Sequence, residues 1–491
     1  MMMRAVQPWY WRSLPLEGKT GSAVFAALFL GNNAIATLLE SPSIPSTQNN
    51  LARYSICAGS PRILNGKPQL WTPAIGEILP FLRNLLSSPP PHSPTPPLPF
   101  TGGWLGWLGY DLAWEIEHLP KYRSDSLPFP VAYWYEPECF AVLDHSEQSL
   151  WLAASAPAQL DFLQNQLESD LERAGESKVK SQKSKVKSQN SASSLFPLPA
   201  PSPTSPQFSI SQADYEDTVR QAKKYIQAGD IFQANLSVRF EARTTASSWS
   251  IYRALQEINP SPFASYWQTP WGALISCSPE RLVKLEERQA QTRPIAGTRS
   301  RSSDPTQDRR QAEDLLANRK ENAEHIMLVD LERNDLGRVC QWGSVVVDEL
   351  LTIERYSHVM HLVSNIVGTL RSDCDSVDLI RAMFPGGTIT GCPKVRCMEI
   401  IEELEPVRRS LFYGSCGYLD RRGHLDLNIL IRTLLFSSPA FPPSPSAPVN
   451  TVWGQVGAGI VADSDPEKEW YESLDKAQAQ LAALSHAEIP M

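Results

Sequence analysis

The chain lacks the spacing of cysteine and histidine that metal modules and disulfide frameworks need. Its eight cysteines include no C-x-x-C pair, and no histidine lies at zinc-ligand spacing from them, so a zinc module is excluded. It also lacks excess positive charge. The 45 lysines and arginines against 53 acidic residues give a formal net charge of −8, which argues against an extended nucleic-acid surface.

Long apolar runs are also missing. A membrane-spanning helix needs roughly 20 consecutive apolar residues, and the longest candidate, SAVFAALFLGNNAIATLL at 22–39, is interrupted by a Gly-Asn-Asn turn. We predict two strands joined by that turn. The sequence MMMRAVQPWYWRSLPLEGKT has no continuous apolar core and no small-residue cleavage site, so we expect a cytoplasmic protein without a membrane segment.

Proline is abundant and marks three low-complexity segments. Segments 87–99 and 177–206 are too rich in proline and serine for a helix or a central strand, and 437–450 separates two strand-like runs, LNILIRTLLF and TVWGQVGAGIVA. We therefore predict an amino-terminal region at 1–176, a linker at 177–206 and a carboxyl-terminal region at 207–491. Strand patterns such as GALISCSPERLVKLE mix with helical ones such as YEDTVRQAKKYIQAG without regular alternation, which predicts an α+β fold.

A glycine-rich loop runs into a predicted helix in FPGGTITGCPKVRCMEIIEELEP, residues 384–406. Gly386 and Gly391 have P-loop spacing, but Cys-Pro stands where that motif needs Lys and then Ser or Thr. A helix start after a glycine turn exposes backbone N–H groups to an anion, and Lys394 and Arg396 would face it. An ordinary loop with a surface basic pair is the alternative interpretation.

Two pairs of glutamates have a spacing that places both carboxylates on one helix face. Glu321 and Glu324 lie in RKENAEHIMLVDLERNDLG, and Glu469 and Glu472 lie in DPEKEWYESLDKAQAQLAAL. Carboxylates without cysteine or histidine form a hard-oxygen site, which suits Mg²⁺ with water and an anionic ligand. A single pair of this kind is usually a solvated helix face, so the hypothesis requires that the two pairs meet.

Further stretches would complete an anion pocket. TRPIAGTRSR at 292–301 has a Gly-Thr turn between basic residues, NILIRT places Arg432 on a predicted strand, and Gly457 and Gly459 allow close backbone approach. Together with Lys394 and Mg²⁺ these groups would hold two carboxylates. The predicted ligand is therefore a small dianion.

Five motifs in order, RPIAGTRSR, AEHIMLVDLERNDLGRV, ERYSHVMHLVSNIVGTL, FPGGTITGCPKVRCMEIIEELEPVRR and GAGIVADSDPEKEWYES, resemble the chorismate-binding enzymes. The resemblance is to the large, component I subunits of anthranilate synthase and aminodeoxychorismate synthase, and it is strong over about 210–485. It implies an anthranilate synthase component I-like, two-part β-sheet sandwich with flanking helices and a central active-site cleft.

The resemblance also implies roles for individual residues. Glu324 and Glu472 match the Mg²⁺ ligands, with Glu321 and Glu469 nearby. Catalytic positions correspond to Glu280 as general acid, His361 in pyruvate elimination and, in a matching motif, Lys394; a packed structural histidine is the alternative for His361. Chorismate-binding positions correspond to Gly297, Thr298, Tyr413, Arg432, Gly457, Ala458, Gly459 and Lys476.

The implied activity is Mg²⁺-dependent amination of chorismate, and the product is predicted from finer motifs. FPGGTITGCPK, GSCGYLD and DLNILIRT resemble the aminodeoxychorismate branch, which predicts 4-amino-4-deoxychorismate for 4-aminobenzoate and folate synthesis. Ala296 stands where that branch has a covalent lysine, which favours anthranilate and tryptophan synthesis as the alternative. Ala296 also argues against an isochorismate or salicylate synthase, whose lysine base occupies this position. A non-catalytic chorismate or tryptophan sensor would have no need to keep both glutamate pairs, Glu280 and Arg432 together.

The nitrogen source is predicted to be a second subunit. Cys416 in GSCGY lacks the final glycine of a G-x-C-x-G nucleophile turn, so the chain has no convincing glutaminase nucleophile. We expect a separate glutamine amidotransferase to supply ammonia, and no nucleic-acid partner. LLES at 38–41 and NPSPF at 259–263 resemble elements of a tryptophan feedback pocket.

Overall fold

The computed structural model describes residues 9–31, 33–41, 53–87, 95–169, 205–302, 304–356, 359–438 and 449–488. The predicted low-complexity segments lie largely outside these ranges. Outside them are 88–94 of the first segment, all but two residues of 177–206, and 439–448 of the third. The division at 177–206 therefore stays a prediction.

The described residues form eleven α-helices. They are α1 (Gly21–Leu28), α2 (Ile78–Leu86), α3 (Ala113–Ile116), α4 (157–169), α5 (Gln212–Ala228), α6 (Ser248–Ile258), α7 (Pro305–Ala317), α8 (Arg319–Gly337), α9 (Ser376–Met383), α10 (Lys394–Leu404) and α11 (Pro466–Ala487). None of the helices in these ranges is long and apolar enough to cross a lipid bilayer.

The strands of the described residues range from two to twelve residues, and all the pairs they form are antiparallel. They are β1 (Tyr10–Pro15), β2 (Ala36–Glu40), β3 (Tyr54–Ala58), β4 (Ile63–Leu64), β5 (Lys67–Pro68), β6 (Leu70–Trp71), β7 (Gly103–Leu108), β8 (Ala132–Tyr135), β9 (Cys139–Asp144), β10 (Ser149–Ala154), β11 (Gln207–Phe208), β12 (Gln233–Thr244), β13 (Phe263–Thr269), β14 (Gly272–Ser278), β15 (Arg281–Glu286), β16 (Gln289–Arg293), β17 (Ile295–Ser300), β18 (Val346–Arg355), β19 (Val359–Thr369), β20 (Gly391–Cys392), β21 (Ser415–Asp420), β22 (Leu425–Asn428), β23 (Thr433–Ser437) and β24 (Asn450–Ile460).

Two large sheets contain almost all of these strands. In the described chain, the first sheet has twelve strands in the order β1-β10-β9-β3-β2-β13-β14-β23-β24-β12-β11, with β20 on β12. The second has ten, in the order β17-β19-β16-β15-β22-β21-β7-β8-β6, with β18 on β19. Both sheets contain strands from 1–176 and from 207–491, because β2 pairs with β13 and β7 pairs with β21. The predicted α+β class is confirmed.

The sheets face each other across one core, and helices cover the other face of the first sheet. Trp107 of the second sheet meets Trp267 of the first at 5.8 Å between ring centroids, edge to face. Along β9, Phe140 and Val142 belong to this core, whereas the alternate residues, such as Ala141, pack with the helix-side core. This period of two is what a strand buried on both faces requires.

One predicted pair of strands is wrong. Residues 21–28, the first half of the apolar run, form helix α1, and only the second half is a strand, β2. The side chain of Thr20 caps α1 by accepting a hydrogen bond from the N–H of Ala23. A short apolar run does not distinguish a buried strand from a buried helix, and the cap is the local feature that favours the helix.

The two stretches that carry the glutamate pairs are helices, as predicted, and a side chain caps the start of each. Asn318 caps α8 by accepting hydrogen bonds from the backbone N–H groups of Lys320 and Glu321. Asp465 caps α11, with Pro466 in its first position. These caps fix where each helix starts, and therefore which turn presents each carboxylate.

Candidate active site

The chain passes from the first sheet to the second at residues 278–281 and returns at 428–433, and these two crossovers run side by side. The N–H of Ile429 donates to the carbonyl of Glu280 at 3.0 Å, and the Ser278 hydroxyl donates to the Ile429 carbonyl at 2.6 Å. Arg432 lies in the return crossover with φ of +51°, not on a strand as predicted. The strand is interrupted because the backbone must leave one sheet for the other here.

Arg432 carries a positive charge that no carboxylate neutralises within the described ranges. Its guanidinium contacts Asn259 Oδ1 at 3.4 Å and makes no ion pair there. Burial lowers the pKa of Arg432, because the charged form loses hydration. A desolvated guanidinium without a counter-ion favours binding of an anion, and its planar fork suits a carboxylate.

Glu280 is a buried acid on the neighbouring crossover. Its Oε1 makes no hydrogen bond within the described chain. Burial raises the pKa of Glu280 to about 8, the Thr388 hydroxyl and Arg432 oppose the shift, and the charge of Glu332 adds to it. At neutral pH the carboxyl therefore keeps its proton, which is the state that a general acid requires.

His361 and Thr298 lie opposite each other on β19 and β17. The distance from His361 Nδ1 to Thr298 Oγ1 is 2.9 Å, and the ring of Tyr356 packs edge-on at 5.6 Å. Burial lowers the pKa of His361 to about 3, and the charge of Arg432 adds to that effect. The imidazole is therefore neutral, and it lies close enough to Arg432 to feel its charge.

The charges of the two glutamate pairs act on each other, so the pairs lie in the same region, as the metal hypothesis requires. Burial raises the pKa of Glu324, and the charges of Glu472, Glu321 and Glu469 raise it further, while Lys320 opposes them. Oε2 of Glu321 and Oε2 of Glu469 are buried without a hydrogen bond within the described chain. No three such side chains in these ranges already have the spacing of a metal site. The oxygen-only donors and the two unpartnered oxygens nevertheless fit a hard divalent cation.

Gly297 connects this carboxylate cluster to β17. Its φ is +61°, and a Cβ at this position would lie 2.5 Å from Oε2 of Glu321. On its other oxygen, Glu321 pairs with Arg299 at 2.9 Å. Only glycine fits this backbone conformation and this approach without strain.

The glycines of β24 lie against β12, close to the start of α11. Gly457 pairs with Ser237, and its carbonyl accepts a hydrogen bond from Lys476 Nζ at 2.9 Å. The same ammonium pairs with Glu472 at 2.9 Å. Between the glycines, Ala458 is buried and Gly459 packs against Gln233, so Lys476 ties this strand to the carboxylate cluster.

Lys394 and Tyr413 have their own buried partners. Lys394 Nζ pairs with Asp335 on α8 at 2.5 Å and donates to the Met383 carbonyl at 3.1 Å. Tyr413 has φ of +65°, its ring lies under the Arg409 guanidinium at 4.6 Å, and its hydroxyl makes no hydrogen bond within the described chain. The loop that precedes α10 thus contacts α8 of this protein, and Lys394 is already neutralised.

A separate cavity of about 500 Å³ lies between the sheets. Its lining includes Leu39, Glu40 and Ser41 from LLES and Pro262 and Phe263 from NPSPF, and Ser41 Oγ donates to the Pro262 carbonyl at 2.6 Å. The two stretches that resemble a feedback pocket therefore meet in space. Neither crossover residue, Glu280 or Arg432, is among the residues that line this cavity.

Sequence reasoning missed two acidic side chains of α8 that interact with the predicted site residues. The charge of Glu332 on α8 acts on Glu280, and Asp335 on the same helix pairs with Lys394. Helical spacing gave a usable signal, because Asp335 follows Glu324 by three turns on the same face. No local pattern indicated Glu332, since its partners come from other segments.

Comparison with known proteins finds relatives over almost the whole chain. A family model described as chorismate binding enzyme matches residues 49–482. An anthranilate synthase component I-like protein of Synechocystis sp. is 59% identical, over 98% of this chain and 92% of that protein. Aminodeoxychorismate synthase component 1 of Bacillus subtilis is 43% identical, over 79% of this chain and 78% of that protein. Anthranilate synthase component I from Streptococcus pneumoniae TIGR4 superposes with a TM-score of 0.69 at 31% identity, covering 89% of this chain and 93% of that one.

The family match, over a chain built on two facing antiparallel sheets, defines the class of the protein as a chorismate-binding enzyme. Within that class, the chain belongs to the chorismate-binding enzyme family. Its relatives make it a chorismate-using enzyme of the anthranilate synthase or aminodeoxychorismate synthase type. The resemblance to this family and the predicted fold are both confirmed.

Proposed function

We propose that the protein catalyses the Mg²⁺-dependent amination of chorismate to 4-amino-4-deoxychorismate. One observation supports the proposed amination reaction. At the two crossovers, a protonated Glu280 lies near the guanidinium of Arg432, which has no counter-ion in the described chain. An acid of this kind assists the loss of a poor hydroxide leaving group.

Substrate binding is assigned to the groups around these crossovers. Arg432 binds one carboxylate of chorismate, and backbone amides at Gly297 and Thr298 contribute further donors. The resemblance of their motifs supports assigning Tyr413, Gly457, Ala458, Gly459 and Lys476 to the same substrate site. We assign Lys394 no substrate contact, because its ammonium is paired with Asp335.

The metal is assigned to the carboxylate cluster. Glu324 and Glu472 would hold Mg²⁺, with Glu321 and Glu469 nearby, and the ring carboxylate of chorismate would complete the shell. When bound, the ion neutralises the clustered charge and polarises the substrate carboxylate. The mutual repulsion of the four glutamates supports this assignment, because a cation relieves it.

The chemical step balances as follows. The lone pair of ammonia forms the new C–N bond, the ring C4–O bond breaks, and its electron pair goes to oxygen. That oxygen takes the proton of Glu280 and leaves as water. The Glu280 carboxylate then takes a proton from the new ammonium group, which restores the acid.

Anthranilate is the second candidate product, and two residues favour it. Ala296 provides no lysine to attack the ring covalently, and His361 in VMHLVS matches the family's histidine associated with loss of pyruvate after ammonia attacks C2. We retain 4-amino-4-deoxychorismate because FPGGTITGCPK, GSCGYLD and DLNILIRT all resemble that branch. The named relatives include both activities.

One incubation distinguishes the products. The pure chain is mixed with chorismate, MgCl₂ and an ammonium salt, and anthranilate fluorescence is followed before and after adding aminodeoxychorismate lyase. We expect 4-aminobenzoate only after the lyase is added. Fluorescence without the lyase would establish anthranilate instead, and unchanged chorismate would refute amination altogether.

The nitrogen donor in the cell is proposed to be ammonia from a separate glutamine amidotransferase. The relative in Bacillus subtilis is named component 1, which supports a second component here. The pure chain should use an ammonium salt but not glutamine. Glutamine hydrolysis by the chain alone would contradict a two-subunit enzyme.

A further inference from the structure

One side-chain oxygen of β12, Oδ1 of Asn235, is buried and accepts no hydrogen bond within the described chain. The backbone of the same residue is paired. Its N–H donates to the Thr390 carbonyl at 2.9 Å, and its carbonyl accepts from the Arg409 guanidinium at 2.6 Å. A buried acceptor without a donor is costly, so most such groups in proteins have a partner. Oδ1 of Asn235 is therefore an acceptor suited to a donor on a ligand.

The Asn235 side chain faces the second sheet. Its neighbours in sequence, Ala234 and Leu236, pack in the helix-side core, so the alternation of a strand places Asn235 on the opposite face. Asn235 lies directly opposite Gly459 in the pairing of β12 with β24, and residues directly opposite each other share a face of the sheet. Gly459 is assigned to the substrate site, so the Asn235 carboxamide borders that site.

The loop that precedes α10 lies between Asn235 and the crossovers. Nδ2 of Asn235 lies 3.5 Å from the Thr388 carbonyl, a long hydrogen bond that directs the amide nitrogen to the loop and leaves Oδ1 unpaired. On its other side the loop packs on the return crossover, because a Cβ on Gly386 would lie 2.8 Å from Cδ1 of Ile429. The N–H of Ile429 in turn donates to the Glu280 carbonyl at 3.0 Å. Asn235 and Glu280 therefore border the same loop from two sides.

The chemistry of the proposed substrate indicates which donor fits an unpaired acceptor here. At neutral pH both carboxyl groups of chorismate are ionised, and carboxylate and ether oxygens only accept hydrogen bonds. The 4-hydroxyl group is the one donor on the molecule, and it is also the group that leaves in the proposed reaction. A hydroxyl has a single hydrogen. When that hydrogen is donated to Asn235, the lone pairs of the oxygen stay free to accept the proton of Glu280.

We propose that Asn235 binds the 4-hydroxyl group of chorismate and orients it as the leaving group. This inference rests on the proposed function. The carboxamide oxygen accepts the hydrogen of the hydroxyl, Glu280 gives its proton to the same oxygen, the C4–O bond breaks with its electron pair on oxygen, and water leaves. Asn235 itself neither gains nor loses a proton, so its contribution is to binding and orientation.

The first test measures binding without turnover. Chorismate is titrated with MgCl₂ and no ammonium into wild type and Asn235→Leu, which has a similar volume and no acceptor. We expect a dissociation constant about 3- to 10-fold higher in the variant, the value of a hydrogen bond between neutral groups. The melting temperature of the free variant should stay close to that of wild type, because Oδ1 has no partner to lose.

Asn450→Leu is the matched control. Asn450 is also a buried asparagine, but both ends of its amide are paired within the protein, with the Ala246 carbonyl at 3.2 Å and the Ser438 hydroxyl at 3.0 Å. This variant should have a lower melting temperature and an unchanged dissociation constant for chorismate. The two variants therefore separate a contact made to the ligand from a contact made within the fold.

The second test removes the hydroxyl group from the ligand. 4-Deoxychorismate, which has hydrogen in place of the 4-hydroxyl, should bind wild type about 3- to 10-fold more weakly than chorismate does, and should bind wild type and Asn235→Leu equally. Equal affinity of wild type for the two ligands overturns the proposal, even if the variant does not fold. An unchanged dissociation constant for chorismate in a folded Asn235→Leu also overturns it. A wild type that binds chorismate but does not aminate it refutes the proposed function and leaves the binding result intact.

Discussion

Replacing Glu280 by glutamine should strongly reduce turnover and at the same time make the free energy of unfolding fall less steeply as pH rises. In the folded protein burial raises the pKa of Glu280 from 4.5 to about 8. Between these values the folded state holds a proton that the unfolded state releases, so the free energy of unfolding falls as pH rises. The slope is about 1.4 kcal/mol per pH unit. From pH 6 to pH 8 the wild type should therefore lose about 2 kcal/mol more than Glu280→Gln.

The assay is urea unfolding followed by far-UV circular dichroism at pH 6 and pH 8, alongside chorismate consumption. Turnover should fall by about 10²- to 10⁴-fold, the usual contribution of a general acid. Glu402→Gln, the same change in a buried acid that accepts the N–H groups of Tyr122 and Arg123, provides the control for placing an amide in a buried acid position. If the stabilities of wild type and Glu280→Gln change in parallel with pH, Glu280 is not held neutral and the argument for its role as acid fails.

Four other substitutions probe the rest of the site. Glu324→Gln and Glu472→Gln each remove a charged ligand at constant volume, so activity should disappear while the melting temperature stays close to that of wild type. Mg²⁺-dependent turnover that survives in both variants would exclude the metal assignment. Arg432→Met should raise KM for chorismate by about 10- to 150-fold, the value of a hydrogen bond to a charged group, and an unchanged KM would mean that the guanidinium does not bind substrate. Gly297→Ala should destabilise the fold by about 1–2 kcal/mol, because a φ of +61° is left-handed. The same substitution should weaken Mg²⁺ activation, because the new methyl group displaces Glu321. A variant as stable and as responsive to Mg²⁺ as wild type would contradict this prediction.

The helices of the site were predictable because residues close by in the sequence determine where they begin and end. RKENAEHIMLVDLERNDLG coincides with α8, since Asn318 caps its first turn and apolar residues recur along it. The strand prediction for Arg432 failed for the opposite reason. The sequence there is apolar and continuous, and the break comes from a crossing between sheets that only the tertiary structure imposes.

The neighbours of a buried acid were even less accessible to sequence reasoning. Glu332 looks like one more charged residue on a helix of alternating charge. Its environment comes from Thr292, Leu282 and Gly387, which are 40 or more residues away along the chain. Burial of a carboxyl is a property of the assembled core, so no spacing rule within α8 indicates it.

Both sheets combine strands from the beginning and from the end of the chain, and this affects how the protein folds during translation. Strand β7 pairs with β21, and Thr101 next to β7 donates its N–H to Asp420, 319 residues further along. During translation the early strands therefore emerge long before their partners exist. Their edges stay unpaired and their apolar faces stay exposed until the last part of the chain has been made. Folding is therefore slow, and the nascent protein is exposed to aggregation. This enzyme should consequently depend on chaperones more than a protein whose early and late halves fold separately.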